Sequence, residues 1–271
     1  MKKWAITALV YLLVVVGGYY VYASFVETES HNESKSPHEQ EAESSHGQEH
    51  EENDENHDGI SEVIPTLQVE NGELIITLTD LAGNPVSDLE VNHEKLLHLI
   101  VVSTDLKEYK HLHPQTNEPG VFKVAHSLQA GEYKAFVDIK PTGKTYEVAP
   151  ISFMVGENHN EHEEDSLTVD TELTKEAGGR TVKLLPSSLK VKEDIQLTFD
   201  LSGDTPEQYL GALGHVVILD QKGENYIHVH PLEGNEPVFA TKFTEPGVYK
   251  IWAEFKFSGQ VFVYPYVVEI K

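Results

Sequence analysis

The chain has 271 residues, with 45 acidic side chains against 20 Lys and Arg and a formal net charge of −25. Such a charge repels phosphate groups, so nucleic acid is not an expected partner. The sequence contains no Cys, which excludes disulfides, thiolate zinc sites and blue-copper centres. The 15 His are the unusual feature of the composition.

The N-terminus has the pattern of a membrane segment. Lys2 and Lys3 precede an uncharged, mostly apolar run over residues 4–26, which is long enough to span a bilayer as a helix. The basic flank favours the cytoplasmic side, so we expect a single-pass protein in the cell membrane, with the rest of the chain extracytoplasmic. The alternative is a signal peptide cleaved near Ala23, which would release a secreted protein.

Residues 27–59 form an acidic, His-rich segment without large apolar side chains. Such a segment cannot bury enough surface to offset its ordering entropy, so we expect a disordered stalk. A shorter segment of the same type, residues 157–165, is predicted to be a linker. Imidazole and carboxylate groups also predict weak, auxiliary capture of divalent cations in these segments. Their histidines are His31, His38, His46, His50, His57, His159 and His162.

The remaining chain contains a duplication. His98 is followed thirteen residues later by His111-Leu-His113-Pro114, and His215 is followed thirteen residues later by His228-Val-His230-Pro231. A Tyr stands two positions before the second His of each set, and a Gly-x-Tyr follows downstream in both copies. A repeat of this length indicates two copies of one domain, residues 60–156 and 166–271.

Both copies have the pattern of an all-β fold. Short runs rich in Val, Ile, Thr and aromatic residues alternate with period two and are separated by Gly, Pro, Asn and Asp. The number of strands predicts two tandem sandwiches of immunoglobulin-like or cupredoxin-like type. The Gly-x-Tyr at Tyr133 and Tyr249 is typical either of a tyrosine corner or of a half-buried strand Tyr.

The repeated histidines are the candidate site. Residues i and i+2 of a strand share a face, so His111 and His113 lie together, as do His228 and His230. If the strand that begins at His98 or His215 forms a hairpin with its H-x-H strand, a third imidazole joins each pair. Three imidazoles with an open position suit Zn²⁺ or Cu²⁺. The predicted metal ligands are His98, His111, His113, His215, His228 and His230.

Other polar residues receive weaker predictions. His93 and His126 have no counterparts in the second copy and are interpreted as surface residues. Four acidic residues near the repeated His could supply a fourth, oxygen ligand, and the sequence does not select among them. They are Asp105, Glu108, Asp220 and Glu233.

The segments HLIVVSTDLKEYKHLHP and HVVILDQKGENYIHVHP resemble a pattern in bacterial extracytoplasmic His-rich β-sandwich proteins associated with heavy-metal, particularly copper, handling. The order of anchor, stalk and sandwich is also similar to that of Gram-positive surface lipoproteins, although this chain lacks their Cys. The resemblance implies metal binding at the six repeated His and does not imply an activity.

The sequence therefore predicts a membrane-anchored extracytoplasmic protein that binds Cu or Zn. It would capture, buffer or deliver the ion, with a metal transporter as a possible partner. We do not expect an enzyme. Two alternatives remain open: a metal-free adhesion or scaffold module in which the His pairs are structural, and, with less support, a three-His metalloenzyme.

Overall fold

The computed structural model describes residues 61–156, 167–227 and 229–271, except the side chain of His230. The predicted anchor or signal peptide, the stalk and the linker lie outside these residues. Within the described part of the chain, no helix has the length and apolarity needed to cross a membrane. The described chain is all-β, as the sequence predicts.

Residues 61–156, the first half, contain nine strands in two sheets. The strands are β1 (Val63–Glu70), β2 (Glu73–Asp80), β3 (Leu89–Glu90), β4 (Leu97–Ser103), β5 (Tyr109–Leu112), β6 (Gln115–Glu118), β7 (Val121–Ala125), β8 (Gly131–Pro141) and β9 (Pro150–Val155). One sheet has the order β1-β2-β7-β6, and the other has the order β3-β8-β4-β5, with β9 also paired to β8. All pairs are antiparallel.

Residues 167–271, the second half, repeat this plan. The strands are β10 (Thr174–Ala177), β11 (Arg180–Pro186), β12 (Asp194–Asp200), β13 (His215–Asp220), β14 (Tyr226–Ile227), β15 (His230–Pro231), β16 (Val238–Lys242), β17 (Gly247–Phe257) and β18 (Gln260–Ile270). The two sheets have the orders β10-β11-β12-β16-β15 and β14-β13-β17-β18. Strands β13 and β17 are the counterparts of β4 and β8.

Three apolar clusters hold these sheets together. One lies within the first half and one within the second, each between its two sheets. The third joins the halves, because side chains of β4 and β8 pack against side chains of β13 and β17. Its buried members are Ile100, Val102, Leu106, Phe136, Val217, Leu219 and Trp252. The β4 and β13 sheets therefore pack face to face, and we call this contact the central interface.

Burial on both faces explains the sequence of β4. Leu97, Leu99 and Val101 point into the cluster of the first half, and the alternate residues Ile100 and Val102 point into the central interface. Every residue of β4 is buried, so the strand reads as an almost continuous apolar run instead of an alternating one. His98 is on the face that carries Ile100, because side chains two apart share a face.

The Gly-x-Tyr motif opens β8 and β17 in the same way. The hydroxyl of Tyr133 donates to the carbonyl of Gln129 at 3.1 Å, and the hydroxyl of Tyr249 donates to the carbonyl of Glu245 at 2.8 Å. Each bond reaches four residues back along the chain. This contact to upstream backbone is the one that defines a tyrosine corner, so the first of the two interpretations of this motif is the better one.

Candidate metal centre

His98 lies at one end of the central interface and is 3 % exposed. Its Nε2 is 2.8 Å from the backbone carbonyl of Asn92. A carbonyl oxygen only accepts, so Nε2 carries the proton and donates it to Asn92. The other ring nitrogen, Nδ1, is then an unprotonated lone pair in the neutral imidazole. A single backbone contact therefore fixes the tautomer of His98.

The turn that supplies this carbonyl has an uncommon backbone. Asn92 and Lys95 exchange two backbone hydrogen bonds, and the central residues His93 and Glu94 have φ values of 46° and 65°. Positive φ at two consecutive residues is the conformation of a type I′ turn, which normally favours Asn and Gly. The second half repeats this turn around Leu210 and Gly211, so each half directs a turn carbonyl at the His of its own strand, β4 or β13.

His111 reaches the centre from β5. Strands β4 and β5 pair with Ile100 opposite His111, which brings the imidazoles of His98 and His111 side by side. The Nδ1 of His111 lies 2.6 Å from Oε2 of Glu254, and the two side chains are 4 % and 5 % exposed. Glu254 belongs to β17, so the second half contacts a histidine of the first half.

Two imidazole nitrogens face each other, and the proton shared by His111 and Glu254 decides whether a proton lies between them. When His111 donates its Nδ1 proton to the Glu254 carboxylate, its Nε2 is unprotonated. That Nε2 lies 2.9 Å from Nδ1 of His98. Two facing lone pairs repel unless a proton or a cation lies between them. Nitrogens held about 2.0–2.1 Å from one zinc ion are about 3.3 Å apart, so a small movement would admit the ion.

His113 completes a group of three. One ring nitrogen from each of His98, His111 and His113 lies within 4.8 Å of the others. The ring centre of His113 is 5.0 Å from that of His98 and 4.7 Å from that of His111. Its Nε2 is buried and has no hydrogen-bond partner among the described residues. We call these three residues the His triad.

Burial keeps the triad neutral. It lowers the pKa of His111 to about 4 and that of His113 to about 3, and it also lowers the pKa of His98. Burial has the opposite effect on the carboxyl group and raises the pKa of Glu254 to about 7, although His215 and His98 act to lower it. Neutral imidazoles are the form that binds metal ions.

Two further imidazoles border the triad. The ring centre of His215 is 5.7 Å from that of His111 and 6.2 Å from that of His98. His93 packs edge-on against His215 at 5.5 Å. A small cavity of about 30 Å³ adjoins these rings and is also lined by Asp138. The Nε2 of His215 donates to the Tyr209 carbonyl at 3.0 Å, which repeats the contact between His98 and Asn92.

The structure brings together part of the predicted ligand set. The hairpin of β4 and β5 joins His98 to His111 and His113, as the spacing predicts. His215 lies beside this triad and not in a separate place. His228 and the side chain of His230 lie outside the described residues. So do the seven auxiliary histidines, which are His31, His38, His46, His50, His57, His159 and His162.

The acidic residues at the centre are not those that the sequence suggested. Asp105 contacts Ser103 and Lys107, and Glu108 lies 3.1 Å from the hydroxyl of Tyr133. Asp220 caps its own turn at Glu224 and Asn225, and Glu233 lines a different cavity. Glu254 and Asp138 lie at the centre instead. His93 was interpreted as a surface residue, but it is half-buried against the cluster.

The metal-free protein should lose stability in acid. His111 has a pKa of about 4, and His113 and His215 have values of about 3, against an ordinary 6.5. Between the folded and the unfolded pKa, an imidazole binds a proton only in the unfolded chain. The stability that the neutral imidazoles contribute is therefore complete above pH 6.5 and decreases as the pH falls to about 3. Between pH 4.5 and 7, Glu254 offsets the effect of one His on the free energy of unfolding. Its pKa is raised in the folded state, so Glu254 contributes more stability as the pH falls through this interval.

Urea unfolding in the presence of a metal chelator measures this effect. Each uncompensated His contributes a slope of up to about 1.4 kcal/mol per pH unit. We expect the free energy of unfolding to fall from pH 6.5 to pH 4.5. A value that stays constant or rises over this interval would show that the imidazoles are not buried as neutral groups.

The comparisons with known proteins give a family. A family model described as domain of unknown function DUF8832 matches the chain twice, over residues 64–156 and 175–271. The chain belongs to this family. The two matches correspond to the two halves of the fold, each with its own pair of sheets. No curated protein matches the chain.

Two solved structures show weak similarity. One is TarS of S. aureus, residues 217–571, at 12 % identity and a TM-score of 0.21, over 79 % of this chain and 56 % of that chain. This chain thus spans little more than half of that structure. The other is titin A168–A169, at 10 % identity and a TM-score of 0.18, over 73 % of this chain and 89 % of that chain.

Proposed function

We propose that this protein binds a divalent transition metal ion, Cu²⁺ or Zn²⁺, at the His triad. The observation that carries the proposal is the convergence of one ring nitrogen from each of three buried or half-buried imidazoles within 4.8 Å. Two of these nitrogens lie 2.9 Å apart, so either a shared proton or a cation lies between them. Three nitrogen ligands with an open position are typical of zinc and copper sites.

The contacts around the triad support the proposal. Histidines that bind metal ions usually donate their second N–H to a carbonyl or a carboxylate, which fixes the ring and increases its basicity. His98 donates to the Asn92 carbonyl and His111 to the Glu254 carboxylate. The Asn92 carbonyl and the Glu254 carboxylate are therefore typical hydrogen-bond partners of a metal-bound His.

We propose binding rather than catalysis. The nearest carboxylates are engaged in holding other groups: Glu254 accepts from His111, and Asp138 accepts from Tyr226 and Asn92. A general base would need a carboxylate directed at the open position. Metal capture, buffering or delivery needs only the ion and its ligands, so these roles fit the centre better than a metalloenzyme does.

The cellular setting is part of the same proposal. We infer two tandem immunoglobulin-like sandwiches outside the cell, held by an N-terminal membrane helix and a disordered stalk whose histidines collect the ion. The two tyrosine corners and the two family matches support the tandem arrangement. The resemblance to heavy-metal handling proteins supports the role, and a metal transporter would be the natural partner for delivery.

Titration of the full-length protein against a competing chelator at pH 7.5 tests the proposal. We expect one Zn²⁺ or Cu²⁺ ion that the wild-type chain retains and a chain with His98, His111 and His113 all replaced by Ala does not. Both chains keep the His-rich segment of residues 27–59, so weak ions bound there cancel in the comparison. Equal retention by both chains would favour the adhesion or scaffold function, with the triad as a structural cluster.

A further inference from the structure

We infer that two carboxylates make this centre selective for a divalent ion, so that bound copper is held as Cu(II) in preference to Cu(I). The inference rests on the proposed function, because it concerns the ion in the His triad. Three neutral imidazoles alone do not decide the charge of the ion, since both copper states accept nitrogen ligands. The preference for a divalent ion comes from the carboxylates of Glu254 and Asp138, which lie around the triad.

Glu254 is the closer of the two carboxylates. It is 4 % exposed, and its oxygen lies 2.6 Å from Nδ1 of His111. When this carboxyl group is ionised, its charge acts strongly on its neighbours because the place is poorly solvated. An ionised carboxylate also increases the electron donation of the imidazole that it contacts. Both effects stabilise a doubly charged ion more than a singly charged one.

Asp138 acts from the other side of the interface. It stands directly opposite His98 in the pairing of β4 with β8, just as Glu254 stands opposite His215 in the pairing of β13 with β17. Its carboxylate accepts from the hydroxyl of Tyr226 at 3.2 Å and from the amide of Asn92 at 3.4 Å. Both donors are neutral, so neither cancels the negative charge.

Three lysines around the centre do not pair with the two carboxylates. Lys134 and Lys250 stand four residues before Asp138 and Glu254 on β8 and β17, and they donate to the carbonyls of Lys222 and Leu106. The charge of Lys95 lowers the pKa of His113, but it is the weakest of the four causes of that shift. Among the described residues, none of these three lysines forms an ion pair with Asp138 or Glu254, so both carboxylates can act directly on an ion in the triad.

The cavity beside the triad is consistent with this inference. It holds about 30 Å³ and is lined by Asp138 together with His98 and His111. This space is enough for one or two water molecules. A divalent ion with three imidazoles commonly keeps a water in its open position, and this cavity has room for one.

The test measures Cu(I) and Cu(II) affinities of the full-length protein by competition with a chelator selective for each state. The variants are Glu254→Gln and Asp138→Asn, which keep an oxygen acceptor for His111 and Tyr226 and remove only the charge. Glu132→Gln is the matched control, since Glu132 is an exposed carboxylate on β8. The triple Ala variant of the triad defines the copper that binds elsewhere.

We expect each charge-removing variant to shift the ratio of the two affinities towards Cu(I) by about tenfold, which is about 59 mV for one electron. Glu132→Gln should leave the ratio unchanged. Wild-type and triple Ala chains that bind both states equally would overturn the proposed function. Binding at the triad with an unchanged ratio in both Glu254→Gln and Asp138→Asn would leave that function standing and overturn the charge inference.

Discussion

Replacing His111 and His113 together with Ala is expected to lower the affinity for Zn²⁺ or Cu²⁺ by more than about 100-fold. Changes to outer-sphere partners of a metal site typically cost 10–100-fold, and this variant removes two of the three direct ligands. His98 alone cannot hold the ion against a chelator. Competition titration of the full-length chain at pH 7.5 measures the loss.

The same variant should remain folded. The aliphatic clusters of both halves do not include these two imidazoles, and Glu254 can take up a proton when His111 is absent because its pKa is already about 7. His126→Ala is the matched control, since this His is not one of the clustered ligands and its Nδ1 accepts from the backbone N–H of Leu128. Circular dichroism that shows an unfolded double variant would instead assign the pair a structural role.

Trp252→Ala is expected to have the largest effect on stability. Trp252 is 2 % exposed, and its ring stacks on Tyr109 with ring centres 5.0 Å apart. It belongs to β17, whereas Tyr109 belongs to β5, so the stack joins the two halves. Loss of a buried aromatic ring of this kind costs about 3–5 kcal/mol. Urea unfolding in the presence of a chelator gives the difference.

Trp252→Phe provides the comparison, because Phe136 occupies the corresponding place on β8 and packs against Tyr226 at 5.8 Å. We expect it to retain most of the stability. Trp252→Ala should also weaken metal binding, since Glu254 is two residues further along the same face of β17. An effect on unfolding below about 1 kcal/mol would mean that the central interface contributes little to the fold.

The triad itself could be predicted from the sequence. The H-x-H spacing places His111 and His113 on one face, and a strand that begins at His98 can form a hairpin with theirs. Both inferences use only local geometry, and the pairing of β4 with β5 confirms them. The all-β class was also accessible, because period-two runs and turn residues are local signals.

The carboxylates of the centre could not be predicted in this way. Asp138 and Glu254 lie opposite His98 and His215 because of the strand register. This register cannot be read from local sequence patterns. The contact between His111 and Glu254 depends further on the face-to-face packing of the halves. A signal was nevertheless present: each late strand carries an acidic residue at an apolar position, in FVDI and WAEF, and a buried carboxylate needs a partner.

The position of His215 shows a second limit of sequence reasoning. Two copies of one pattern suggested two separate sites, since each copy contains its own three His. The halves instead share an interface, and His215 lies within 5.7 Å of His111 between ring centres. His93 lies in the cluster because its turn has a positive φ at this residue. A positive φ is uncommon for a residue other than Gly, so the sequence gave no reason to expect this turn.

Anomalous diffraction from crystals of the protein grown with Zn²⁺ tests the central claim most directly. The account predicts a peak about 2.0–2.1 Å from one nitrogen of each of His98, His111 and His113, with Glu254 still hydrogen-bonded to His111. Peaks only at surface carboxylates, with the triad rings still 4.7–5.1 Å apart between centres and no ion between them, would contradict it.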